Sequence, residues 1–224
     1  MNSQIIKEKL IHKGAEADLY CGRWFEKEVI FKHRIPKNYR NSELDKSIRI
    51  MRTLNEARAL IAVKILGINV PIVYEVDIKN AIIVMKYIKG KKLKKYLPHL
   101  NDEDKQNIFM ELGKQVAILH ENGHLHGDIT TSNIIITENN DIFFIDFGLH
   151  EYSDKVEDKS VDIHLLKRVL ISSHGTDYKV CFNAFLEGYR QGYNEKESKI
   201  CDQVIKNIRV IETRGRYIKR EERL

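Results

Sequence analysis

Residues 124–148 read His-Leu-His-Gly-Asp-Ile-Thr-Thr-Ser-Asn-Ile-Ile-Ile-Thr-Glu-Asn-Asn-Asp-Ile-Phe-Phe-Ile-Asp-Phe-Gly, and this stretch decides the fold. Two apolar runs, Ile134 to Ile136 and Ile142 to Ile145, flank Glu138-Asn139-Asn140-Asp141. Short β-prone runs around a polar, Asn-rich centre predict a hairpin, because Asn tolerates the backbone angles of a tight turn. Asp128 and Asn133 precede the hairpin, and Asp146-Phe147-Gly148 follows it. The ends of a tight hairpin lie close together, so Asp128, Asn133 and Asp146 are expected to converge at one edge. Two carboxylates and a carboxamide there are hard oxygen donors suited to Mg²⁺, and a carboxylate can also take a proton.

The spacing Asp-x-x-x-x-Asn, a hairpin, then Asp-Phe-Gly resembles the catalytic half of a protein-kinase-like site. The resemblance implies Asp128 as catalytic base, with Asn133 and Asp146 holding Mg²⁺ against the phosphates of ATP. A polar turn beside a hairpin is the plainer alternative, since Asp and Asn are common in turns for conformational reasons alone. All three elements in order, with strands where strands are needed, favour the site.

Outward from this centre, 224 residues suffice for one domain or two small lobes with a substantial core. A hydrophobic content of 42% beside 31% charged residues is that of a soluble globular protein. A formal charge of +6 favours an anionic partner, for which ATP, nucleic acid or an acidic protein face would serve. Cys21, Cys181 and Cys201 are odd in number and lack Cys-x-x-Cys spacing, so neither a disulfide framework nor a zinc site is expected. The start, Met-Asn-Ser-Gln-Ile-Ile-Lys-Glu, lacks the apolar stretch of a signal peptide, and no run reaches the length of a membrane span. A cytoplasmic protein with no membrane partner is expected.

In chain order, Ile5-Ile6, Ala17 to Tyr20 and Val29 to Lys32 read as strands separated by Gly14 and Gly22. Between the first two, Lys13-Gly14-Ala15-Glu16-Ala17 occupies the place of a phosphate-covering loop, although with one glycine the loop taken alone reads better as an ordinary hairpin turn. Lys32 falls where a kinase puts its phosphate-pairing lysine, and needs a carboxylate on a following helix. Residues 42 to 66 supply that helix, with Ser42 and Asp45 as a capping-box-like start and Leu44, Ile48 and Met51 at helical spacing. Glu56 is the chosen partner of Lys32. Glu43 is the alternative, but the helix dipole explains a carboxylate in the first turn. Val73 to Val76 and Ala81 to Ile88 are the next strands. A kinase hinge would fall at Met85-Lys86-Tyr87-Ile88, placing Met85, Lys86 and Ile88 beside the adenine. Asn101 with Asp104 starts a long helix that ends at Asn122-Gly123. Further helices are expected over 158–172, 176–192 and 195–211, the second burying Tyr178, Cys181, Phe182, Phe185 and Tyr189.

The chain resembles, over nearly its whole length, the kinase subunits of the archaeal and eukaryotic KEOPS (EKC) complex. The matching stretches are Lys13-Gly-Ala-Glu-Ala-Asp-Leu-Tyr20, Lys32-His-Arg-Ile-Pro-Lys-Asn-Tyr-Arg40, Leu44-Asp45 through Glu56-Ala-Arg58, His126-Gly-Asp-Ile-Thr-Thr-Ser-Asn133, Asp146-Phe-Gly-Leu149 and Arg214-Gly-Arg216. The resemblance implies a minimal, bilobal, protein-kinase-like α+β fold without an extended activation loop. Its parts would be a β-rich N-lobe over 1–85, a helical C-lobe over 86–212 and a basic tail over 213–224. It implies an ATP- and Mg²⁺-dependent subunit of the machinery that makes threonylcarbamoyladenosine on tRNA, with serine phosphorylation or ATP hydrolysis as its activity. Its partners would be the threonylcarbamoyl-transferase subunit and a small protein docking on the N-lobe. In the tail, Arg214, Arg216, Lys219 and Arg220 either keep an exposed end solvated or contact tRNA phosphates.

The departures from ordinary protein kinases carry physical content. Gly127 stands before Asp128, where most protein kinases have an Arg that receives a phosphorylated activation-loop residue. Little chain separates Gly148 from the next helix and no Ala-Pro-Glu follows, so receiver and received are both missing. Two other classes compete. A small-molecule phosphotransferase of the aminoglycoside or choline kinase type shares His-Gly-Asp, yet too little chain follows Gly148 for its substrate region. A non-catalytic tRNA-binding scaffold has no physical reason to keep Lys32, Glu56, Asp128, Asn133 and Asp146 together.

Overall fold

The computed structural model describes residues 5–194 and 198–217. It divides into two units, one made of residues up to Lys89 with Phe143–Gly148, the other of Gly90–Ile142 with Leu149 onward.

In the first unit β1 (Ile5–Lys13), β2 (Asp18–Trp24) and β3 (Lys27–His33) form a meander, then α1 (Ser42–Ile65) precedes β4 (Val73–Asp77) and β5 (Ile82–Lys86). They make one antiparallel sheet of order β1-β2-β3-β5-β4. β1 runs well beyond the predicted Ile5-Ile6. Its residues from Ile6 to Lys13 are exposed, and its lysines protect an open sheet edge. The middle of the sheet is β3, where Val29 to Lys32 are buried. Val29, Phe31 and Val84 form a core cluster with Tyr20, Trp24, Tyr74 and Ile82. Strand alternation turns Lys32 to the other face.

Two expectations for α1 need correction. Its cap is Asn41 rather than Ser42: the Asn41 side chain accepts from the N–H groups of Glu43 (3.0 Å) and Leu44 (3.2 Å). Asp45 does not serve the cap but binds Arg49 Nε at 2.7 Å. The stripe through Leu44 and Met51 faces solvent, with 56% and 53% exposure. The buried face carries Thr53, Glu56, Ala57, Leu60 and Val63, and α1 packs on β4 and β5. Both sets recur at helical spacing, so periodicity alone selects neither.

The second unit opens with β6 (Lys91–Lys92), α2 (Leu93–Tyr96) and a 3-10 turn at Leu97–His99, none anticipated from this lysine-rich stretch. α3 (Asp102–Glu121) follows, capped by Asn101 through the Asp104 N–H at 2.8 Å. β7 (His124–Leu125), β8 (Ile134–Ile136) and β10 (Glu151–Tyr152) come next, with β9 (Ile142–Phe144) leading into the stretch that belongs to the first unit, then α4 (Val156–Ser173), α5 (Tyr178–Gly192) and α6 (Ser198–Tyr217). β8 is the middle strand of a small sheet of order β6-β8-β9, and β10 pairs with β7. The predicted hairpin turn closes through Thr137 N–H to Asp141 O at 3.0 Å, with Asn140 at φ +62°.

The helical core is built on α3 against α5, and α4 lies on α6. A Cβ on Gly113 would come within 3.0 Å of the Phe185 carbonyl, and one on Gly188 as close to that of Met110. The α3–α5 approach therefore depends on two missing side chains. Cys181, Phe182, Phe185 and Tyr189 are buried along α5. Burial pushes the Cys181 thiol up to about 12 and that of Cys201 to about 11, and all three cysteines are free. These two thiols are packing residues rather than nucleophiles. The last helix is longer than expected. It continues through Thr213–Tyr217, so Arg214 and Arg216 stand on helical backbone, while Lys219 and Arg220 lie outside the described residues. Lys167 pairs with Glu212 at 2.5 Å and ties this end of α6 to α4, which the apolar pattern does not reveal. Among the described residues no helix is long and apolar enough to cross a membrane.

Gly188→Ala should lower the unfolding free energy by about 1–3 kcal/mol through overpacking against α3. Gly175→Ala, where a Cβ meets only Ile171 O at 3.4 Å, should change it little. Urea denaturation of the two variants beside the parent checks the difference.

Candidate active site

Lys32 lies near the end of β3 and Glu56 on the buried face of α1. Lys32 Nζ donates to Glu56 Oε1 at 2.5 Å and lies 2.8 Å from Asp146 Oδ1. Burial alone would push the Lys32 ammonium down, but the charges and hydrogen bonds of Glu56 and Asp146 outweigh it and raise the group. Lys32 is therefore a permanent cation. Glu43 is exposed in the first turn of α1, and Glu56 is the residue that pairs with Lys32. Asp146 is held by a turn in which its Oδ1 accepts from Gly148 N–H at 2.9 Å.

Glu56 has a second cationic partner that sequence reasoning missed. Arg34 Nη2 donates to Glu56 Oε2 at 2.6 Å, and both side chains are buried. The available signal was the alternation Lys32-His33-Arg34, which returns a second cation to the face of Lys32. The Lys13–Ala17 segment is a turn closed by Gly14 N–H to Ala17 O at 3.1 Å. Glu16 pairs with Arg52 of α1, which fastens the turn to the helix carrying Glu56. Met85 and Ile88 are buried and Lys86 is exposed.

In the other unit Asn133 Nδ2 donates to Asp128 Oδ2 at 2.8 Å and to Asp128 O at 3.1 Å. With its nitrogen so engaged, Asn133 keeps its Oδ1 for a metal or a donor. Three groups fix the loop bearing these residues. Thr131, fully buried, is bonded to His174 Nε2 at 3.0 Å, and its carbonyl accepts from Lys94 N–H at 2.8 Å. Asp162 of α4 accepts from His126 N–H at 2.7 Å and from Gly127 N–H at 3.0 Å. His120 Nε2 reaches the same carboxylate at 3.2 Å, and His120 Nδ1 lies 2.9 Å from the Tyr189 hydroxyl. Asp162 also escaped the sequence reading, though a carboxylate inside the buried period of a helix signals a partner.

Burial would push the Asp162 carboxyl up, but the His120 hydrogen bond, the neighbouring histidines and the His126 N–H hold it below the usual carboxylate range. Gly127 has φ +79°, and a Cβ there would come within 3.0 Å of the Leu149 carbonyl. An arginine before Asp128 is therefore excluded by the backbone, quite apart from its charge. Beside it, His124 Nδ1 and His150 Nε2 meet at 2.9 Å on the β7–β10 ribbon. Burial and the neighbouring His124 and His126 push His150 down to about 4, which keeps its imidazole neutral at neutral pH.

The structure thus brings Lys32, Glu56 and Asp146 together in one unit and Asp128 and Asn133 in the other. Among the described residues no group of three or more His, Cys, Asp or Glu side chains is arranged as a metal cage. Asp146 in the one unit and Asn133 in the other each carry an oxygen of the hard type that Mg²⁺ takes beside water and phosphate.

Residues 24–160 match the family model of the RIO domain. The chain is 44% identical over 218 residues to the KEOPS complex subunit Bud32 of Pyrococcus abyssi, covering 95% of this chain and 97% of that protein. It is 43% identical over 218 residues to a probable bifunctional tRNA threonylcarbamoyladenosine biosynthesis protein of Methanococcus maripaludis, covering 97% of this chain but 38% of that protein. A protein of the same description from Methanocaldococcus jannaschii is 39% identical over 213 residues, again with 38% of its length matched. The chain accordingly spans well under half of the bifunctional relatives.

Asp162→Asn sets an amide against backbone donors and should lower the unfolding free energy at neutral pH by about 1–3 kcal/mol. Because the folded carboxyl is depressed, its stabilisation is complete above the ordinary value of 3.8 and is lost as pH falls through the lower folded value. The gap between parent and variant should therefore close on acidification, as followed by denaturant titrations across that range.

Proposed function

Because the chain belongs to the RIO-domain family, alongside the Bud32 subunits of KEOPS, we propose that it is an ATP- and Mg²⁺-dependent phosphotransferase or ATPase serving threonylcarbamoyladenosine formation on tRNA. One observation carries this reading: a buried lysine held between a buried glutamate and a half-exposed aspartate, at 2.5 and 2.8 Å. A permanent cation whose partners fix its position, one of them open to solvent, is what a phosphate chain requires.

Lys32 neutralises phosphate oxygens, and Glu56 keeps its ammonium from swinging away. Asp146 and Asn133 supply oxygens to Mg²⁺, which when bound neutralises charge on the transferred phosphoryl group. Asp128 orients the attacking hydroxyl or water and takes its proton, the Asn133 amide having fixed the direction of its carboxylate. The Lys13–Ala17 turn, with Gly14, Ala15 and Glu16, covers the phosphates, while Met85, Lys86 and Ile88 flank the base. Water is favoured over a peptide serine as acceptor. Only Leu149 to Lys155 separate Gly148 from α4, and two of these residues are committed to β10. That leaves little platform for an extended peptide. The setting is cytoplasmic, with the transferase and a small protein on the β-rich unit as partners.

Asp128→Asn should cut phosphate release by about 10²- to 10⁴-fold while ATP still binds. Asp146→Ala should abolish the Mg²⁺ dependence of ATP affinity. The assay measures phosphate release by the chain alone, then with tRNA and the transferase, beside transfer to serine peptides. Asp128→Asn turnover within about twofold of the parent would place the base elsewhere.

The end of the chain adds a tRNA contact through Arg214 and Arg216 on α6 and through Lys219 and Arg220 beyond it. Truncation after Glu212 should weaken tRNA binding and reduce the log–log salt slope by about 0.7 for each lost phosphate contact. ATP affinity should persist. An unchanged affinity and slope would reduce this segment to solvation.

A further inference from the structure

The β-rich unit holds a second concentration of positive charge that phosphoryl transfer does not use. The loop from β3 to α1 and the first half of α1 gather Arg34, Lys37, Arg40, Arg49 and Arg52 around one small pocket, with Glu16 on its wall. The nearby carboxylates are already shared. Asp45 accepts from Arg49 Nε at 2.7 Å, from Lys37 N–H at 3.3 Å, and lies 3.7 Å from Arg40 Nη1. Glu16 pairs with Arg52, and Glu56 divides itself between Arg34 and Lys32, which also holds Asp146. Six cations, Lys32 among them, therefore face Glu16, Asp45, Glu56 and Asp146, an excess of two positive charges.

A separate observation concerns a residue that lines the same pocket. Arg34 is 2% exposed, and while its Nη2 serves Glu56, its Nε and Nη1 have no hydrogen-bond partner among the described residues. Buried guanidinium N–H groups without an acceptor are costly and uncommon in folded proteins. Arg49 Nη1 donates to the Arg34 carbonyl at 3.4 Å, so a neighbouring cation secures this residue rather than neutralising it.

We propose that this pocket is an oxyanion site for a dianionic phosphoryl group, either free orthophosphate or the terminal phosphate of a monoester. A tetrahedral dianion matches the excess charge, offers acceptors in several directions, and suits a set dominated by arginine. Its oxygens accept from Arg34 Nε and Nη1, with Lys37 and Arg40 closing over it. The pocket's small size excludes a nucleoside. The site stands on its own residues and does not depend on the phosphotransferase reading.

The test is calorimetric titration of the full chain with orthophosphate in low-chloride buffer, with and without saturating Mg²⁺ and ADP. Saturable binding with one site per chain is expected, unchanged by the nucleotide. The double variant Lys37→Gln/Arg40→Gln should weaken it by about tenfold or more, and Lys37→Gln alone by less, with the thermal midpoint in phosphate-free buffer unmoved. A phosphoserine peptide beside its unphosphorylated form distinguishes the sources: tighter binding than orthophosphate marks a protein-borne monoester, and equal or weaker binding marks the free ion. Absence of saturable binding would overturn the proposal, leaving water as the occupant. So would displacement by Mg²⁺–ADP, or an affinity that the double variant leaves unaltered.

Discussion

The β-rich unit depends on one carboxylate. Glu56 is fully buried, and its two oxygens are taken by Lys32 at 2.5 Å and Arg34 at 2.6 Å, both of them buried too. Ions removed from water this completely are tolerable only as a closed set, and deleting one member typically costs about 3–5 kcal/mol because the others are left uncompensated. That requirement fixes the register of α1 against β3 more tightly than its modest apolar face could. It also explains why α1 can leave Leu44 and Met51 in solvent. The helix is held by charge at Glu56 and by Ala57, Leu60 and Val63 against the sheet.

The helical unit solves a comparable problem with a different carboxylate. The loop carrying Asp128 and Asn133 has little secondary structure of its own, and its backbone N–H groups need acceptors. Asp162 supplies two of them from α4, and His120 orients Asp162 from α3. Tyr189 and Tyr193 of the α5 region extend the same chain of hydrogen bonds, at 2.9 and 3.0 Å. The close α3–α5 approach permitted by Gly113 and Gly188 thus does more than fill a core. It sets the distance at which His120 can reach Tyr189 on one side and Asp162 on the other.

How much was legible in the sequence follows from the kind of signal each feature leaves. The hairpin around Asn140 and the motif Asp-x-x-x-x-Asn are local, so spacing reveals them directly. Lys32 could be placed on a strand, and Glu56 chosen over Glu43 because the helix dipole accounts for a carboxylate in the first turn. Burial at Glu56 adds what the chain alone could not show. Arg34 and Asp162 were overlooked because a buried charge looks like a surface charge until its neighbours are known. The exposed Leu44 and Met51 are the same failure reversed. The cap at Asn41 differed from expectation by one residue, since Asn41 and Ser42 are both good caps and the geometry decides. At the far end, α6 runs past residue 211, where the helix is expected to stop, through Tyr217. Glu and Arg are adequate helix formers, and the Lys167–Glu212 pair holds the preceding turn.

The replacement of arginine by Gly127 connects these observations to regulation. In a protein kinase switched by phosphorylation, an arginine before the catalytic aspartate waits for a charge to arrive and order the segment that follows Asp-Phe-Gly. Here that segment is ordered by its own backbone. Glu151 and Tyr152 pair with Leu125 and His124, the His124–His150 contact closes the ribbon, and the Leu149 carbonyl presses on Gly127. A side chain at 127 would collide with the element it is meant to control. The two features are one design: a segment short enough to be fixed without phosphate leaves no room for the residue that would read phosphate.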